Sequence, residues 1–419
     1  MEKYNGLRFN SQFPFCPLPF VLDTYSGCTH HCTYCFSYFN SLVNAGTRNN
    51  EQKFGLESEV GVYDVEKLKK VFLNPTSKID KLLHCAIEKK LPIHWGGITD
   101  PFSHYEKKYG MSLKIAKFFA EQQYPYIFST KGKIILEPEY KKAIGDGVNI
   151  VQISLISSDE SLEKIELNTK VKDRLDAIEY YASIGKKVVV RCQPYIPKYS
   201  RKHYEKLVKE IAKRGAQAIT VEFLKLTNFM TPEVKIAYKQ LNDGVGFDLI
   251  KYYKLYGSKT GSDIELHSSE KAQDIYDCRR IAHENGLEFY CADNAFRFLG
   301  DSPICCGLRG DEKGFEGYRK CTTSQALFKA KETGYMRWED VCDKNDCIQN
   351  CPMKAGFINM QSMKHAIEVK EWTLRDYLLS IWNRPGAANN PANFFENLKI
   401  AGKDKNNNLV YKWFEKFKS

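Results

Sequence analysis

Short apolar stretches rich in β-branched and aromatic residues recur along the first half of the chain, separated by segments whose apolar residues repeat every three to four positions. The short stretches predict strands at residues 20–25, 91–95, 125–130, 149–156, 187–192 and 218–224. Helix-period stripes lie between them, of which one is Ile79, Leu82, Leu83, Ala86 and Ile87. Six strand–helix units in series predict an α/β fold, with a parallel sheet and right-handed crossovers curled into a partial barrel.

The alternation stops after about residue 255, and the rest of the chain has a different composition. We therefore expect a partial (β/α)6 barrel of the TIM type over residues 1–255, a cysteine-rich module over 256–360 and a basic, aromatic helical tail over 361–419. No apolar run reaches the roughly 18 residues of a membrane span, and the first residues do not resemble a secretory leader. A cytoplasmic protein without a membrane partner is expected.

The 14 cysteines of the 419-residue chain are unevenly distributed. Three lie in one short run, Cys28-x3-Cys32-x2-Cys35, and seven more fall between Cys291 and Cys351. This density is below that of a disulfide scaffold, so the clustering points to metal binding or catalysis in a reducing compartment.

The first run leaves two interpretations open. A zinc site needs four ligands, which His30 or His31 would complete. Alternatively, three thiolates on one loop bind three irons of an iron–sulfur cube and leave the fourth iron open to a substrate or cofactor.

The Cys28-x3-Cys32-x2-Cys35 loop, with Phe36 beside its last cysteine, resembles the hallmark of the radical S-adenosylmethionine (SAM) superfamily. The resemblance implies a [4Fe–4S] cluster whose open iron binds the amino and carboxylate groups of SAM. It also implies reductive cleavage of SAM to a 5′-deoxyadenosyl radical that abstracts hydrogen from a substrate. An external electron donor such as flavodoxin or ferredoxin is expected with it.

The end of the second predicted strand, Gly96-Gly97-Ile98-Thr99-Asp100, is similar to the glycine motif with which this superfamily holds the SAM amino group. Its form resembles the spore photoproduct lyase branch, which implies SAM-binding roles for Gly96, Gly97, Thr99 and Asp100. Those lyases carry a hydrogen-donating cysteine just before their Ser/Thr-Asp pair, where this chain has Gly97 and Ile98. Photoproduct repair by that mechanism is therefore not expected.

Further matches to the lyase branch follow on later strands. The resemblance implies that Lys131, after Thr130, pairs with the SAM carboxylate and that Ser154 binds the ribose. Arg191 on the fifth predicted strand is a second candidate for the carboxylate. Tyr34, between the last two loop cysteines, matches a lyase tyrosine that relays a radical.

The second cysteine group predicts an auxiliary centre. The spacing of Cys291, Gly300 and Cys305-Cys306 is similar to a signature of the SPASM and twitch extensions of radical SAM enzymes. That resemblance implies an auxiliary [4Fe–4S] cluster. The preferred ligands are Cys342, Cys347 and Cys351, and the other candidates are Cys291, Cys305, Cys306 and Cys321. A structural zinc site and free thiols remain as alternatives.

The net charge is +11, and a part of the excess lies in one segment. Residues 186–214, the basic strip, contain ten Lys or Arg against two Glu, interleaved with Tyr195, Tyr199 and Tyr204. This pattern fits phosphate contacts and base stacking, and equally a solvated helix face. The leading hypothesis is a radical SAM enzyme that acts on DNA, RNA or a nucleotide. The alternatives are a radical SAM maturase of peptides or proteins and a non-catalytic iron–sulfur protein.

Overall fold

The structure is a computed structural model that describes residues 4–10, 12–39, 60–341 and 373–417. Its strands, in chain order, are β1 (Leu7–Phe9), β2 (Phe20–Leu22), β3 (Ile93–Trp95), β4 (Tyr126–Thr130), β5 (Asn149–Ser154), β6 (Lys187–Tyr195), β7 (Ala218–Phe223), β8 (Leu226–Thr227), β9 (Gly257–Thr260), β10 (Asp263–Leu266), β11 (Glu288–Cys291), β12 (Tyr335–Met336), β13 (Leu398–Lys403) and β14 (Leu409–Trp413).

The helices lie between these strands along the chain. They are α1 (Val65–Leu73), α2 (Lys78–Glu88), α3 (Tyr105–Tyr109), α4 (Met111–Glu121), α5 (Pro138–Asp146), α6 (Val171–Ser183), α7 (Tyr199–Lys213), α8 (Pro232–Val245), α9 (Leu249–Tyr256), α10 (Ser268–Glu284), α11 (Thr323–Thr333), α12 (Leu374–Asn383) and α13 (Pro391–Phe394).

The main sheet has eight strands in the order β1-β2-β3-β4-β5-β6-β7-β11. Each neighbouring pair from β2 to β11 is parallel, and only β1 is antiparallel. Both faces of the central strands are buried, and this is why β6 reads as the unbroken valine run Val188–Val190. The predicted α/β partial barrel and all six predicted strands are confirmed.

The sheet extends beyond the predicted boundary at residue 255, because β11 pairs in parallel with β7. Between β7 and β11 the chain builds the small sheet β8-β10-β9 and the helices α8 to α10. β11, which ends at Cys291, is therefore the last strand of the main sheet along the chain.

The N-terminal end of the barrel is closed by residues 304–315. Cys306 and its apolar neighbours in this segment pack against a layer contributed by the starts of the strands, which comprises Leu18, Ile127, Ile150, Val189, Ala218 and Tyr290. Gly307 has a φ of +84°, and a Cβ there would lie 2.5 Å from Val189 Cγ2. Only glycine lets the backbone come this close to β6. We call residues 304–315 the floor segment.

The tail differs from its prediction, since residues 398–413 form the hairpin β13–β14 rather than a helix. The turn contains Asn407 at a positive φ of 64°, which asparagine tolerates. The tail does dock on the preceding segment, where Trp413 packs on Phe298 with ring centroids 5.1 Å apart. Across the part of the chain that the structure describes, no helix is long and apolar enough to cross a membrane.

Candidate active site

The three cysteines of the Cys28–Cys35 loop follow β2 at the C-terminal end of the parallel strands, and none forms a disulfide. Hydrogen bonds attach the loop to the segment after β5. The backbone N–H of Thr33 donates to Ile165 O over 2.9 Å, and the side-chain amide of Asn168 donates to Thr29 O over 2.8 Å. The loop is therefore held over the end of the barrel where this fold class places its chemistry.

The loop thiols sit in surroundings that disfavour their charged form. Burial raises the pKa of Cys28 to about 12, with a smaller contribution from Asp100. Burial also raises the pKa of Cys32, and the charge of Lys131 works in the opposite direction. Thiols of this kind become thiolates when a metal replaces their protons, so the donor set fits a soft iron–sulfur centre.

A buried carboxylate lies directly behind the loop. Glu166 accepts a hydrogen bond from the Tyr34 hydroxyl and forms an ion pair with Arg174, and its Oε1 lies 3.9 Å from Lys131 Nζ. Burial acts to raise the pKa of Glu166, but Arg174 and Lys131 outweigh it and hold that pKa below its usual value. Glu166 and Cys32 also form an isolated antiparallel β-bridge. One carboxylate thus connects the loop, the predicted relay tyrosine and the predicted SAM-binding lysine.

Glu166 and Arg174 were not predicted from the sequence. The seven residues between them span a loop and the start of a helix, so no helical or strand periodicity pairs them. The only available signal is a charged residue between two apolar ones, Ile165 and Leu167, which is common on protein surfaces.

Thr99 and Asp100, the predicted Thr-Asp pair, form hydrogen bonds with other residues of the protein. Asp100 lies 2.8 Å from His30 Nε2, and it accepts hydrogen bonds from the Thr130 hydroxyl over 2.7 Å and the Lys131 backbone N–H over 2.6 Å. The Thr99 hydroxyl donates to Tyr25 O over 2.6 Å. Asp100 therefore braces the cysteine loop against the end of β4, while direct SAM contacts by Thr99 and Asp100 stay a prediction.

The two glycines of the motif have different surroundings. Gly96 has a φ of +86°, and a Cβ there would lie 2.8 Å from both Ser129 O and Pro101 Cδ. At Gly97 a Cβ would make only ordinary contacts, the nearest at 3.5 Å to Val21. The close turn therefore requires glycine at 96, whereas position 97 has room for a Cβ.

Three other predicted residues lie around the same end of the barrel. The Phe36 ring is 57% exposed, which leaves an apolar surface beside Cys35 that a bound cofactor would cover. Lys131 Nζ lies 5.9 Å from the centroid of the Tyr34 ring. Ser154 is the last residue of β5, and its carbonyl accepts a hydrogen bond from Arg174 over 3.0 Å. The structure thus brings these residues to the cysteine loop.

Arg191 extends into the barrel interior. Its guanidinium donates to the Ser129 hydroxyl over 2.6 Å and to Gln193 Oε1 over 2.7 Å. His94 Nε2 lies 3.2 Å from the same Ser129 oxygen, and burial lowers the pKa of His94 to about 3, helped by the charge of Arg191. These side chains form a polar layer inside the barrel, and a contact between Arg191 and SAM remains a prediction.

The second cysteine group lies elsewhere. Cys305 and Cys306 are at the floor segment, at the opposite end of the barrel from the loop. Cys291 ends β11, and Cys321 precedes α11. Cys342, Cys347 and Cys351 lie outside the described residues.

Among residues 4–10, 12–39, 60–341 and 373–417, no three His, Cys, Asp or Glu side chains converge closely enough to hold one metal ion. This applies to Cys28, Cys32 and Cys35 as well. An iron–sulfur cube does not require such convergence, because each thiolate binds a different iron at a corner of the cube.

Comparisons with known proteins agree with this geometry. Residues 22–211 match the family model described as the radical SAM superfamily. Uncharacterized proteins of Mycobacterium bovis and Mycobacterium tuberculosis are 25% identical over 221 residues, which is 50% of this chain. The match covers 60% of the length of those relatives.

Among solved structures, one spore photoproduct lyase variant is similar in fold, and a second variant gives a weaker match. The first has a TM-score of 0.50 and 19% identity, and the match covers 69% of this chain and 81% of that one. The second, with bound AdoMet and dinucleoside spore photoproduct, has a TM-score of 0.48 and 16% identity over 68% of this chain and 78% of that one. Methylornithine synthase follows with a TM-score of 0.37 and 11% identity, over 75% and 81%.

The family match contains the cysteine loop, Gly96 and Lys131, and the fold places all of them at one end of the barrel. Residues 22–211, a little under half of the chain, are thus similar to the radical SAM superfamily in both sequence and site geometry.

Proposed function

We propose that the chain binds a [4Fe–4S] cluster through Cys28, Cys32 and Cys35 and uses it to cleave SAM reductively. The observation that carries this proposal is the three-thiol loop, held over the C-terminal end of a parallel barrel within the residues that match the radical SAM family model. The bound cluster and SAM supply a one-electron cleavage that yields a 5′-deoxyadenosyl radical. An external donor such as flavodoxin or ferredoxin, in the cytoplasm, is the proposed source of the electron.

The chain's own residues prepare this end of the barrel. Asp100 holds the loop against β4 through His30 and Thr130. Lys131 offers a positive charge beside the loop, suited to a carboxylate. Phe36 supplies an exposed apolar ring, and the turn at Gly96 brings bare backbone groups close to the site.

Product analysis tests the SAM-cleavage proposal. The reconstituted chain, reduced with dithionite in the absence of air, is expected to release 5′-deoxyadenosine from SAM. Cys32→Ala should abolish this product, and Cys85→Ala, a cysteine of α2, should leave it unchanged. If Cys32→Ala retains the wild-type yield, the SAM-cleavage proposal is wrong.

For the substrate we propose a nucleic acid or nucleotide. The lyase-like Lys131 and Ser154 and the basic strip motivate this choice. Several cations of the strip have partners, however. Arg201 Nε lies 2.5 Å from Asp274 Oδ1, and Lys198 Nζ lies 4.8 Å from the centroid of the Tyr252 ring. Lys202 is exposed and has no ion pair within the described ranges, so it is available to a phosphate.

Salt-dependent binding tests the substrate class. A triple variant with Lys198, Arg201 and Lys202 changed to Ala should weaken binding of single-stranded DNA or RNA and flatten its dependence on salt. Lys142→Ala, which removes an exposed lysine of α5, is the matched control. Unchanged binding in the triple variant would exclude the strip as a nucleic-acid surface.

A second candidate is a radical SAM maturase of a peptide or protein with an auxiliary [4Fe–4S] cluster. The cysteines at the floor segment favour it, because a second centre there would face the barrel interior. Two clusters require about eight irons per chain. Incubation with deuterated nucleotides and peptides, followed by mass analysis of 5′-deoxyadenosine, separates the two substrate classes.

A further inference from the structure

A second buried carboxylate lies at the end of β2, beside the glycine turn of residues 96–99. Asp23 follows directly on β2, and it is fully buried. Its Oδ1 accepts hydrogen bonds from the backbone N–H groups of Ile98 and Thr99, each over 3.0 Å. Its own backbone N–H donates to Gly6 O over 3.0 Å. Asp23 therefore attaches the glycine turn to β2 and to the segment before β1.

The charge of Asp23 is balanced by an arginine of β1. Arg8 Nη2 lies 2.5 Å from Asp23 Oδ2, and Arg8 is opposite Val21 in the antiparallel pairing of β1 with β2. A buried carboxylate is costly unless it has a counter-charge and hydrogen bonds to its remaining lone pairs, and Asp23 has both. One of its oxygens thus faces the arginine, and the other faces the turn.

The two hydrogen bonds determine where the carbonyl groups of the turn point. The peptide bonds on either side of Ile98 are trans. In a trans peptide group, the C=O and the following N–H point in opposite directions. The N–H groups of Ile98 and Thr99 are directed at Asp23. The carbonyls of Gly97 and Ile98, which belong to the same two peptide groups, therefore point away from it.

These two carbonyls accept no hydrogen bond within the described ranges. Gly97 and Ile98 are both partly exposed, so the turn is not sealed from solvent. They lie at the same end of the barrel as the cysteine loop, because Asp100, the next residue after the turn, is 2.8 Å from His30 of that loop. Two adjacent carbonyl oxygens without a donor fit an ammonium group, which carries three N–H donors and a positive charge.

We propose that Asp23, with Arg8 as its counter-charge, is a positioning residue that directs the carbonyls of Gly97 and Ile98 at the ammonium group of SAM. The inference rests on the proposed function, because it assumes that SAM binds at this end of the barrel. Asp23 does not touch the ligand. It acts through the two peptide groups, whose polarisation by the carboxylate makes both carbonyl oxygens more negative.

Two double variants separate the acceptor from the charge. Arg8→Gln with Asp23→Asn, the acceptor-keeping variant, retains an oxygen for the two N–H groups. Arg8→Gln with Asp23→Ala, the acceptor-free variant, removes it. Neither leaves a buried charge unpaired, so both are expected to fold, which circular dichroism and the urea midpoint check.

SAM affinity is measured by calorimetry on the reconstituted chain without air. It should fall at least about tenfold in the acceptor-free variant and stay within about threefold of the wild type in the acceptor-keeping variant. Equal SAM affinities in the two folded variants would overturn the proposal.

A second ligand identifies the group that is recognised. The SAM analogue with hydrogen in place of the α-amino group retains the carboxylate and the adenosine. The wild-type chain should bind this analogue at least about tenfold more weakly than SAM, and the acceptor-free variant should bind it as the wild type does. Lys131→Ala should weaken both ligands, because both carry the carboxylate. Equal wild-type affinities for the two ligands would overturn the proposal, and so would an equal loss for both in the acceptor-free variant.

Amide hydrogen exchange tests the contact without cluster or SAM. In the iron-free wild type and the acceptor-keeping variant, the N–H groups of Ile98 and Thr99 should be protected. In the acceptor-free variant they should exchange at least about tenfold faster. Equal exchange rates in all three proteins would remove Asp23 from the turn.

The matched control is Asp64→Asn. Asp64 Oδ1 accepts the Glu66 N–H over 3.0 Å at the start of α1, and asparagine caps a helix equally well. This variant should change neither SAM affinity nor the exchange of the turn. A wild-type chain that protects the turn amides but binds no SAM would contradict the proposed function. SAM binding that does not differ between the two double variants would contradict the role of Asp23 alone.

Discussion

Glu166 is the buried residue on which several candidate site groups depend. It accepts a hydrogen bond from Tyr34, pairs with Arg174 and lies near Lys131. A buried carboxylate between two cations is stable only while the whole set remains intact, because each charge compensates the loss of water around the others. Substitutions at this residue therefore test both the fold and the site.

Glu166→Gln keeps the side-chain shape and removes the charge. It leaves Arg174 without its anion, and breaking a buried pair in this way costs about 3–5 kcal/mol. We expect the free energy of unfolding in urea to fall by about that amount, with reduced SAM cleavage in the fraction that stays folded. Glu205→Gln, in the exposed pair with Lys209, should leave the urea midpoint unchanged. Equal midpoints for the two variants would contradict the role of Glu166.

His94 gives stability a pH dependence. Its pKa falls from 6.5 in the unfolded chain to about 3 in the fold, so below pH 6.5 only the unfolded chain takes up this proton. The destabilisation of the fold by His94 is therefore nearly absent at pH 7. It grows as the pH falls toward 3 and reaches about 2 kcal/mol at pH 5. Between pH 7 and pH 5 the free energy of unfolding in urea should fall less for His94→Gln than for the wild type. Parallel losses in both proteins would show that His94 is not buried in its neutral form.

At the scale of elements, the six strands that alternate with helices could be predicted because each is a short, doubly buried apolar run. β11 has only four residues and follows a long insertion after β7, so the strand–helix repeat does not predict it. The hairpin β13–β14 stands where a helix is expected, since its lysines and aromatic residues also fit a helical period. For the site, the cysteine loop is local in sequence and predictable, whereas the contacts of Glu166 and Asp23 join distant segments and have no sequence pattern.

The floor segment can be tested through its glycine. Gly307 has a left-handed φ, and a Cβ added there would lie 2.5 Å from Val189. Gly246 has a similar φ of +80°, but nothing lies within 4 Å of an added Cβ. Gly246→Ala should cost about 1 kcal/mol from backbone strain. Gly307→Ala should cost about 1–3 kcal/mol more, because the interior is overpacked. Denaturant unfolding measures both, and equal losses would mean that the floor segment does not enter the barrel.

For the whole molecule, the consequence of the fold is a separation of the two cysteine groups. The Cys28–Cys35 loop lies at one end of the barrel, and Cys305 and Cys306 lie at the other. β5 has six residues, and at about 3.3 Å per residue a strand of this length separates the ends by roughly 15–20 Å. The two proposed centres should load independently at this distance.

This separation predicts opposite effects for two variants. The double variant Cys305→Ser and Cys306→Ser should lose about half of the reconstituted iron. Its SAM affinity, measured by calorimetry under anaerobic conditions, should stay within about twofold of the wild type, because the two cysteine groups lie at opposite ends of the barrel. Lys131→Ala should do the reverse. It should keep all of its iron, but its SAM affinity should fall at least about tenfold because the positive charge beside the loop is removed. If the double variant also lost tenfold in SAM affinity with the Cys28–Cys35 cluster intact, the two cysteine groups would act on one shared site instead of two.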